Sequence, residues 1–292
     1  MSTTFEAGGA TIHRIVEQEA VSLLPMLKFF PQLTPELLAE HRPWLQPRFV
    51  DAAGDIVLCV QSYLVETQHH TILIDTCVGN HKPRPARPVW NMMTSDRYER
   101  NLAAAGFGVD DIDFVMCTHL HVDHTGWNTR LENGRWVPTF PKARYLFADR
   151  ELDYWTKRQK DDPAYCPWIE DSVLPIVAAK RADIIKSAHE FSDVVKLVST
   201  PGHTIDHFSV HVGKPGDDAF ITGDMVHSPL QMRYPELAMM SDHDGAQGAQ
   251  TRRRIFSQFC GTPTRICTGH FASPSTGRIV RLGDAFDFVE NG

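Results

Sequence analysis

The chain has 292 residues, 42% of them hydrophobic, and a formal net charge of −7. That is enough apolar material for a sizeable core in one large domain or two small ones. The acidic balance argues against nucleic acid or an anionic membrane surface as partner, because both require clustered Lys and Arg, and "TRRR" (residues 251–254) reads as the solvated face of a helix.

In chain order, residues 1–50 are punctuated by proline and read as an extension that packs on the domain, on a partner subunit in a homodimer, or over a pocket. Its apolar stretch "VSLLPMLKFF" is interrupted by Pro25 and Lys28 and is far short of the ~20 residues of a membrane span. No basic region followed by an apolar one opens the chain, and its six cysteines include no CxxC pair. Buried free thiols in a reducing cytoplasm are the expectation. Thr34 and Pro35 are placed as N-cap and first residue of a short helix, "TPELLAEH".

Residues 51–292 read as a single domain without tandem repeat or linker. "DIVLCVQSYLVET" and "HHTILIDT" have the patterning of two paired strands, with "QHH" as the turn. "KPRPARP" must be a loop, and "TSDRYERNLAAAGF" has helical spacing that ends at Gly106. "DIDFVMC" is a buried strand, "ARYLFAD" another, and "RELDYWTKRQ" a helix. Residues 161–175, rich in proline and aromatics, are expected as an insertion or a loop beside the site.

Behind "DIDFVMC" comes "THLHVDHTGW", which concentrates His119, His121, Asp123 and His124 where a strand ends. On extended backbone His119 and His121 share a side, and a tightening turn can swing Asp123 and His124 to a second point nearby. Imidazole and carboxylate are good ligands for zinc and its first-row neighbours, and burying four such groups without a cation would be costly. "VVKLVSTPGHT", "DAFITGDMV" and "TRICTGH" then repeat one theme, an apolar run, a glycine and a ligand-type residue: His203, Asp224 and His270. Glycine lets the backbone bend sharply and aim each side chain into a common space. These seven residues are too many for one tetrahedral ion. If Asp224 bridges, they divide into His119, His121 and His203 for one metal and Asp123, His124 and His270 for the other. Two divalent ions are therefore expected, zinc first, with manganese, cobalt or iron as alternatives, and a bridging hydroxide would be the nucleophile.

The set "HLHVDH", "TPGHT", "TGD" and "TGH", preceded by "ILIDT", resembles the metallo-β-lactamase superfamily over roughly residues 55–275. The resemblance implies an α/β fold, a four-layer αββα sandwich with the site at one edge of two facing sheets. It also implies that Asp75 orients a ligand histidine or bound water, where the residues alone allow a turn residue after a strand. Within the family, this chain has both the His at 124 and the bridging Asp that true β-lactamases do not combine, keeps His121 where the flavodiiron branch has Glu, and lacks the basic surface of the tRNA-processing branch. What remains resembles the lactonase and methyl parathion hydrolase-like branches. His227 stands where acyl-homoserine lactonases carry a Tyr, which suggests a donor to the oxyanion or leaving group; a histidine that only packs beside the site is the alternative. The function implied is hydrolysis of a small apolar lactone or carboxylic ester, with Asp123 passing a proton to the leaving alkoxide. Phosphotriester hydrolysis and a non-catalytic metal-binding regulatory role are the alternatives. Trp127, Trp136, Phe140, Trp155, Trp168, Leu230, Met232 and Phe271 are the pocket candidates, three or so reaching substrate. Asp206 and His207 are candidates to support the ligands, and His211 and His243 are not expected to hold metal.

Overall fold

In the computed structural model, which describes residues 4–290, the strands gather into two seven-stranded sheets and one ribbon. The first sheet is ordered β1 (Thr4–Ala7), β2 (Ala10–Pro25), β3 (Asp55–Glu66), β4 (Thr71–Ile74), β5 (Phe114–Met116), β8 (Arg144–Ala148) and β9 (Ala182–Ile185). The numbers between belong to the separate ribbon, β6 (Thr129–Glu132) and β7 (Arg135–Pro138). The second sheet is ordered β10 (His189–Glu190), β11 (Val195–Ser199), β12 (Phe208–Lys214), β13 (Asp217–Ile221), β14 (Arg265–Cys267), β15 (Thr276–Leu282) and β16 (Ala285–Glu290). Helices are α1 (Met26–Phe29), α2 (Pro35–Leu45), α3 (Arg97–Ala104), α4 (Asp149–Asp161), α5 (Leu174–Ala178), α6 (Leu230–Arg233) and α7 (Gly245–Phe259).

Three apolar clusters make the layers. Phe5, Ile12, Tyr63, Ile72 and Met116 meet Leu197, Phe208, Val210 and Ile221 between the sheets. Outside the first sheet, Val115 and Tyr145 pack with Tyr98 and Leu102 of α3 and Trp155 of α4. Outside the second, Phe220 and Ile266 pack with Ile255, Phe256 and Phe259 of α7 and with Leu38 of α2. This is the expected αββα sandwich. Each sheet is buried on both faces by the exchange of apolar side chains, which is what makes four layers stable.

The expected strands, the Thr34-capped helix and the turn at residues 67–70 all form, with Leu37 N donating to Thr34 Oγ1. Residues before 50 are built into the first sheet: β2 runs along most of β3, and Met26, Phe29 and Phe30 lie in the core beneath Met225 and Leu230. Residues 161–175 are more helical than a loop, because a π-helical turn (Ile169–Val173) leads directly into α5. The "KPRPARP" stretch is a loop, but Lys82 and Arg84 are buried in it and both grip Asp171 of that turn, Arg84 at 2.7 and 2.8 Å.

Chain direction puts the ligand-bearing ends together. β4 and β5 are parallel, as are β13 and β14, so their C-terminal ends lie at one edge of the sandwich. Gly223, at the bend after β13, has φ +53°, and a Cβ there would sit 2.6 Å from His207 Nε2 and 2.8 Å from Thr118 Oγ1. Only glycine fits, because the backbone that delivers Asp224 runs against His207, just before the neighbouring β12, and against Thr118, just after β5 in the opposite sheet.

Candidate metal centre

All seven expected ligand residues converge. His119, His121, His203 and Asp224 bring their ligand atoms within 4.8 Å of one another, and so do Asp123, His124 and His270. Asp224 stands between the sets. Its Oδ1 lies 3.1 Å from His124 Nε2 and 3.0 Å from His270 Nε2, while its Oδ2 lies 3.5 Å from His203 Nε2 and 3.7 Å from His119 Nε2.

The outer ring nitrogens are already committed. His124 Nδ1 donates to Asp75 Oδ2 (2.9 Å), His203 Nδ1 to Asp242 Oδ1 (2.8 Å) and His270 Nδ1 to the carbonyl of Cys59 (2.7 Å). A carboxylate or carbonyl only accepts, so each Nδ1 must carry a proton and each Nε2 is the atom that faces inward. Against burial, the Asp224 carboxylate holds the His124 and His270 imidazoles above their usual range, so a cation at these atoms would displace a proton. Thr118 Oγ1 donates to Asp75, which leaves its oxygen to accept from His119 Nδ1 at 3.1 Å. His119 therefore has the same tautomer. His121 is reversed and presents Nδ1, 2.9 Å from His203 Nε2.

This chemistry suits divalent cations. His119 Nε2, His124 Nε2 and Asp224 Oδ1 are buried and have no hydrogen-bond partner, so the 3.1 Å approach of His124 to Asp224 is not an aligned hydrogen bond. Burial holds the imidazoles of His119 and His121 well below their usual range, which keeps them neutral ligands. Burial pushes the Asp224 carboxyl up, but His124, His270, His227 and His119 around it more than reverse this, and it stays ionised. Orphaned lone pairs around one carboxylate are expensive unless a cation collects them.

His227 lies against the same cluster, with Nε2 3.1 Å from Asp224 Oδ2 and its ring stacked on His270 at 5.6 Å and 11°. Phe29 of α1 meets it edge-on at 5.5 Å, and its backbone N–H donates to Gln231 Oε1. His207 holds no metal position; burial pushes it down to about 3, and its neutral Nε2 accepts from Asp224 N at 3.0 Å. Asp206 points away, taking a hydrogen bond from Ser187.

Two supporting acids had no motif to announce them. Asp242 sits in the polar run "SDHDG", where nothing distinguishes it from its neighbours. Glu151 is in the first turn of α4, a position where an acid ordinarily complements the helix dipole; buried here, it accepts instead from Leu120 N, Trp155 Nε1 and Asp206 N. A cleft beside His121 and His203 is lined by Tyr154, Trp155, Tyr165 and His243. Of the eight expected pocket residues only Trp155 lines it. Trp127 stacks on Tyr98, Trp136 covers Lys82, Trp168 donates to Leu120 O, and Phe140, Leu230, Met232 and Phe271 are core.

A double set of His and Asp at one edge of an αββα sandwich defines a class of metal-binding folds. The model for the metallo-beta-lactamase superfamily matches residues 57–273, and the chain belongs to that superfamily. It is 27% identical to an N-acyl homoserine lactonase of a Bacillus species over 165 residues, covering 52% of this chain and 58% of that protein. It is 26% identical to the lactamase-like protein nscB of Trichophyton verrucosum over 170 residues, 56% of this chain and 46% of that one. The chain thus spans about half the length of the curated relatives it matches. Among solved structures, AidC, a dizinc quorum-quenching lactonase in complex with a product, superposes with a TM-score of 0.81 at 19% identity, covering 100% of this chain and 97% of that one. The hydrolase AbOPH gives 0.82 at 21% identity over 100% and 97%. At these identities the likeness is one of fold. Among the described residues no helix is long and apolar enough to cross a membrane.

Proposed function

We propose that the chain is a metal-dependent hydrolase that opens a lactone or cleaves a carboxylic ester, using two divalent ions, zinc first. One observation carries the reading: Asp224 Oδ1 faces the Nε2 atoms of His124 and His270, Oδ2 reaches His270 as well and faces those of His203 and His119, and the nitrogens of His119 and His124 are buried without partners. His119, His121 and His203 would hold one ion, Asp123, His124 and His270 the other, with Asp224 shared. Such a pair supplies Lewis acidity, acidifying a water to serve as nucleophile and polarising the scissile carbonyl.

The chain's own groups supply the rest. Asp75 and Asp242 fix the tautomers of His124 and His203. Asp123 is the least buried carboxylate of the cluster, with 12% of its side chain exposed against 4% for Asp224, and would receive a proton and return it to the leaving alkoxide. His227, neutral because burial lowers it, has its Nε2 beside Asp224 and would turn that N–H to the developing oxyanion once the carboxylate is taken up by metal. The aromatic wall of Tyr154, Trp155 and Tyr165 suits a small apolar substrate, and the relatives named as N-acyl homoserine lactonases favour a lactone.

The metal-loaded protein should be assayed on N-acyl homoserine lactones, aryl esters and phosphotriesters, following acid release. Turnover of a lactone or ester that a chelator removes and metal restores is the expected result. Turnover confined to phosphotriesters, or none that depends on metal, would sink the proposal.

A further inference from the structure

The two ligand sets are braced by acids and an arginine from different parts of the chain. Glu151 accepts from Leu120 N with one carboxylate oxygen and from Asp206 N with the other, both at 3.2 Å. A single buried acid thus ties the His119–His121 segment to the one that follows His203. Asp242, from the segment before α7, completes that half by holding His203.

The other half is gripped from β2. Glu17 is buried and accepts from Val78 N (2.9 Å), Gly79 N (3.0 Å) and Trp127 Nε1 (2.6 Å). Residues 76–79 are in turn sewn to the loop that carries Asp123 and His124: Thr76 N donates to His124 O, Gly126 N to Cys77 O and Trp127 N to Thr76 O. On the same strand, buried Arg14 donates to Gln61 Oε1 and, at 2.6 Å, to Ser273 Oγ. Gln61 passes this on to Thr268 O (2.7 Å), and Glu19 accepts from both the backbone and the hydroxyl of Ser273. The turn they clamp, residues 268–275, carries His270, whose carbonyl and Nδ1 are both locked onto Cys59 of β3.

Burying an arginine and a glutamate is costly unless their hydrogen bonds are used. Among the described residues no ion pair joins Arg14 to Glu17; Arg14 instead meets Glu19 at 3.4 Å and the turn that carries His270, and Glu17 holds residues 78–79 and, through Trp127, the loop that carries Asp123 and His124. We propose that Arg14 and Glu17 of β2 are positioning residues for the Asp123–His124–His270 set and Glu151 for the His119–His121–His203 set, so that the two subsites can be emptied independently. The inference rests on the two-ion reading above.

Calorimetric titration of the chelator-stripped full-length protein with Co²⁺ tests it, with His270→Ala and His203→Ala as markers for the two subsites. Wild type takes up two equivalents. Arg14→Met and Ser273→Ala weaken one of them by about 10- to 100-fold, as loss of a supporting hydrogen bond to a metal ligand does, and leave the other unchanged. Glu151→Gln weakens the other. Combined with His270→Ala, Arg14→Met adds no further loss, because it acts only through the subsite already gone. Losses spread evenly over both equivalents, or no loss in either β2-side variant, would overturn the proposal while leaving two-ion binding intact. Uptake of a single equivalent by the wild type would overturn both. Ser273→Ala removes only a half-buried hydroxyl, so it gives the answer even where Arg14→Met does not fold.

Discussion

Asp75 Oδ2 takes the Nδ1 proton of His124 at 2.9 Å, while its Oδ1 takes the backbone N–H of Thr118 at 2.7 Å. One carboxylate thereby fixes both the tautomer of a ligand histidine and the start of the segment that carries His119. Asp75 does this from φ +60°, a left-handed conformation that Asn adopts as readily as Asp. Asp75→Asn should therefore spare the backbone but turn an amide N–H toward His124, or remove one of the two acceptors. Metal affinity should fall by about 10- to 100-fold, read as metal content after dialysis against a weak chelator. Unchanged content would reduce Asp75 to a turn residue.

Asp224 is the single group common to both sets, and its removal should be the most severe single change. Asp224→Ala leaves His119, His124, His203 and His270 facing one another with no carboxylate between them. Elemental analysis after metal loading should give less than the wild-type content, with hydrolysis abolished. A variant that keeps both ions and substantial activity would show that the bridge is not needed.

Much of this site was legible in the sequence because its parts obey local rules. Apolar runs that stop at a glycine announce strand ends, and ligand-type residues at those ends announce a cluster; the seven residues that converge are the seven picked out by that pattern. What escaped were groups whose role depends on distant chain. Glu17 and Arg14 sit in a stretch with no motif, and pairing of β2 with β3 is what carries them beneath the loops. Lys82 and Arg84 look like surface charges between prolines until Asp171 is brought to them. The pocket aromatics failed for the same reason, since alternation marks which residues are buried but not whether they face a cleft or the core.

Glu17 gives the fold a pH dependence. Burial, opposed by its three hydrogen bonds and assisted by the Asp123 charge, raises its carboxyl from 4.5 to about 7; Cys77 and Tyr98 are the other titratable groups around it. A carboxyl whose folded pKa lies above its unfolded value binds more protons in the native state across that window. Its contribution is full below pH 4.5 and shrinks as pH rises through 7, by about 3 kcal/mol in all. Denaturant unfolding of metal-free wild type and Glu17→Gln should show the wild type losing ground to the variant across that range. A difference that does not vary with pH would mean that Glu17 stays ionised.

Tyr165 is 49% exposed, lines the cleft and carries Arg158 over its ring at 4.4 Å. It touches no ligand residue through a hydrogen bond, so its contribution should be to binding alone. Tyr165→Ala should raise KM several-fold for substrates with a long apolar chain, leave kcat near wild type, and matter little for short ones. An equal drop in kcat for long and short substrates would place Tyr165 nearer the chemistry than the cleft suggests.

His227 poses the sharpest choice. It is close enough to Asp224 and His270 to form a third group of ligand-type residues, yet the other seven already fill both sets. Its Nδ1 is buried without a partner, and its ring is fixed between Phe29 and His270. The one N–H of the neutral ring is on Nε2, facing Asp224 Oδ2 at 3.1 Å; once cations take up that carboxylate, the N–H is left to serve a developing oxyanion beside it. His227→Ala should keep the full metal content and lower kcat by on the order of 10². If the proton goes to the leaving alkoxide instead, the loss should shrink for esters with good leaving groups. Loss of one ion would make His227 a ligand, and unchanged kcat on every substrate with both ions in place would leave it only a packing role.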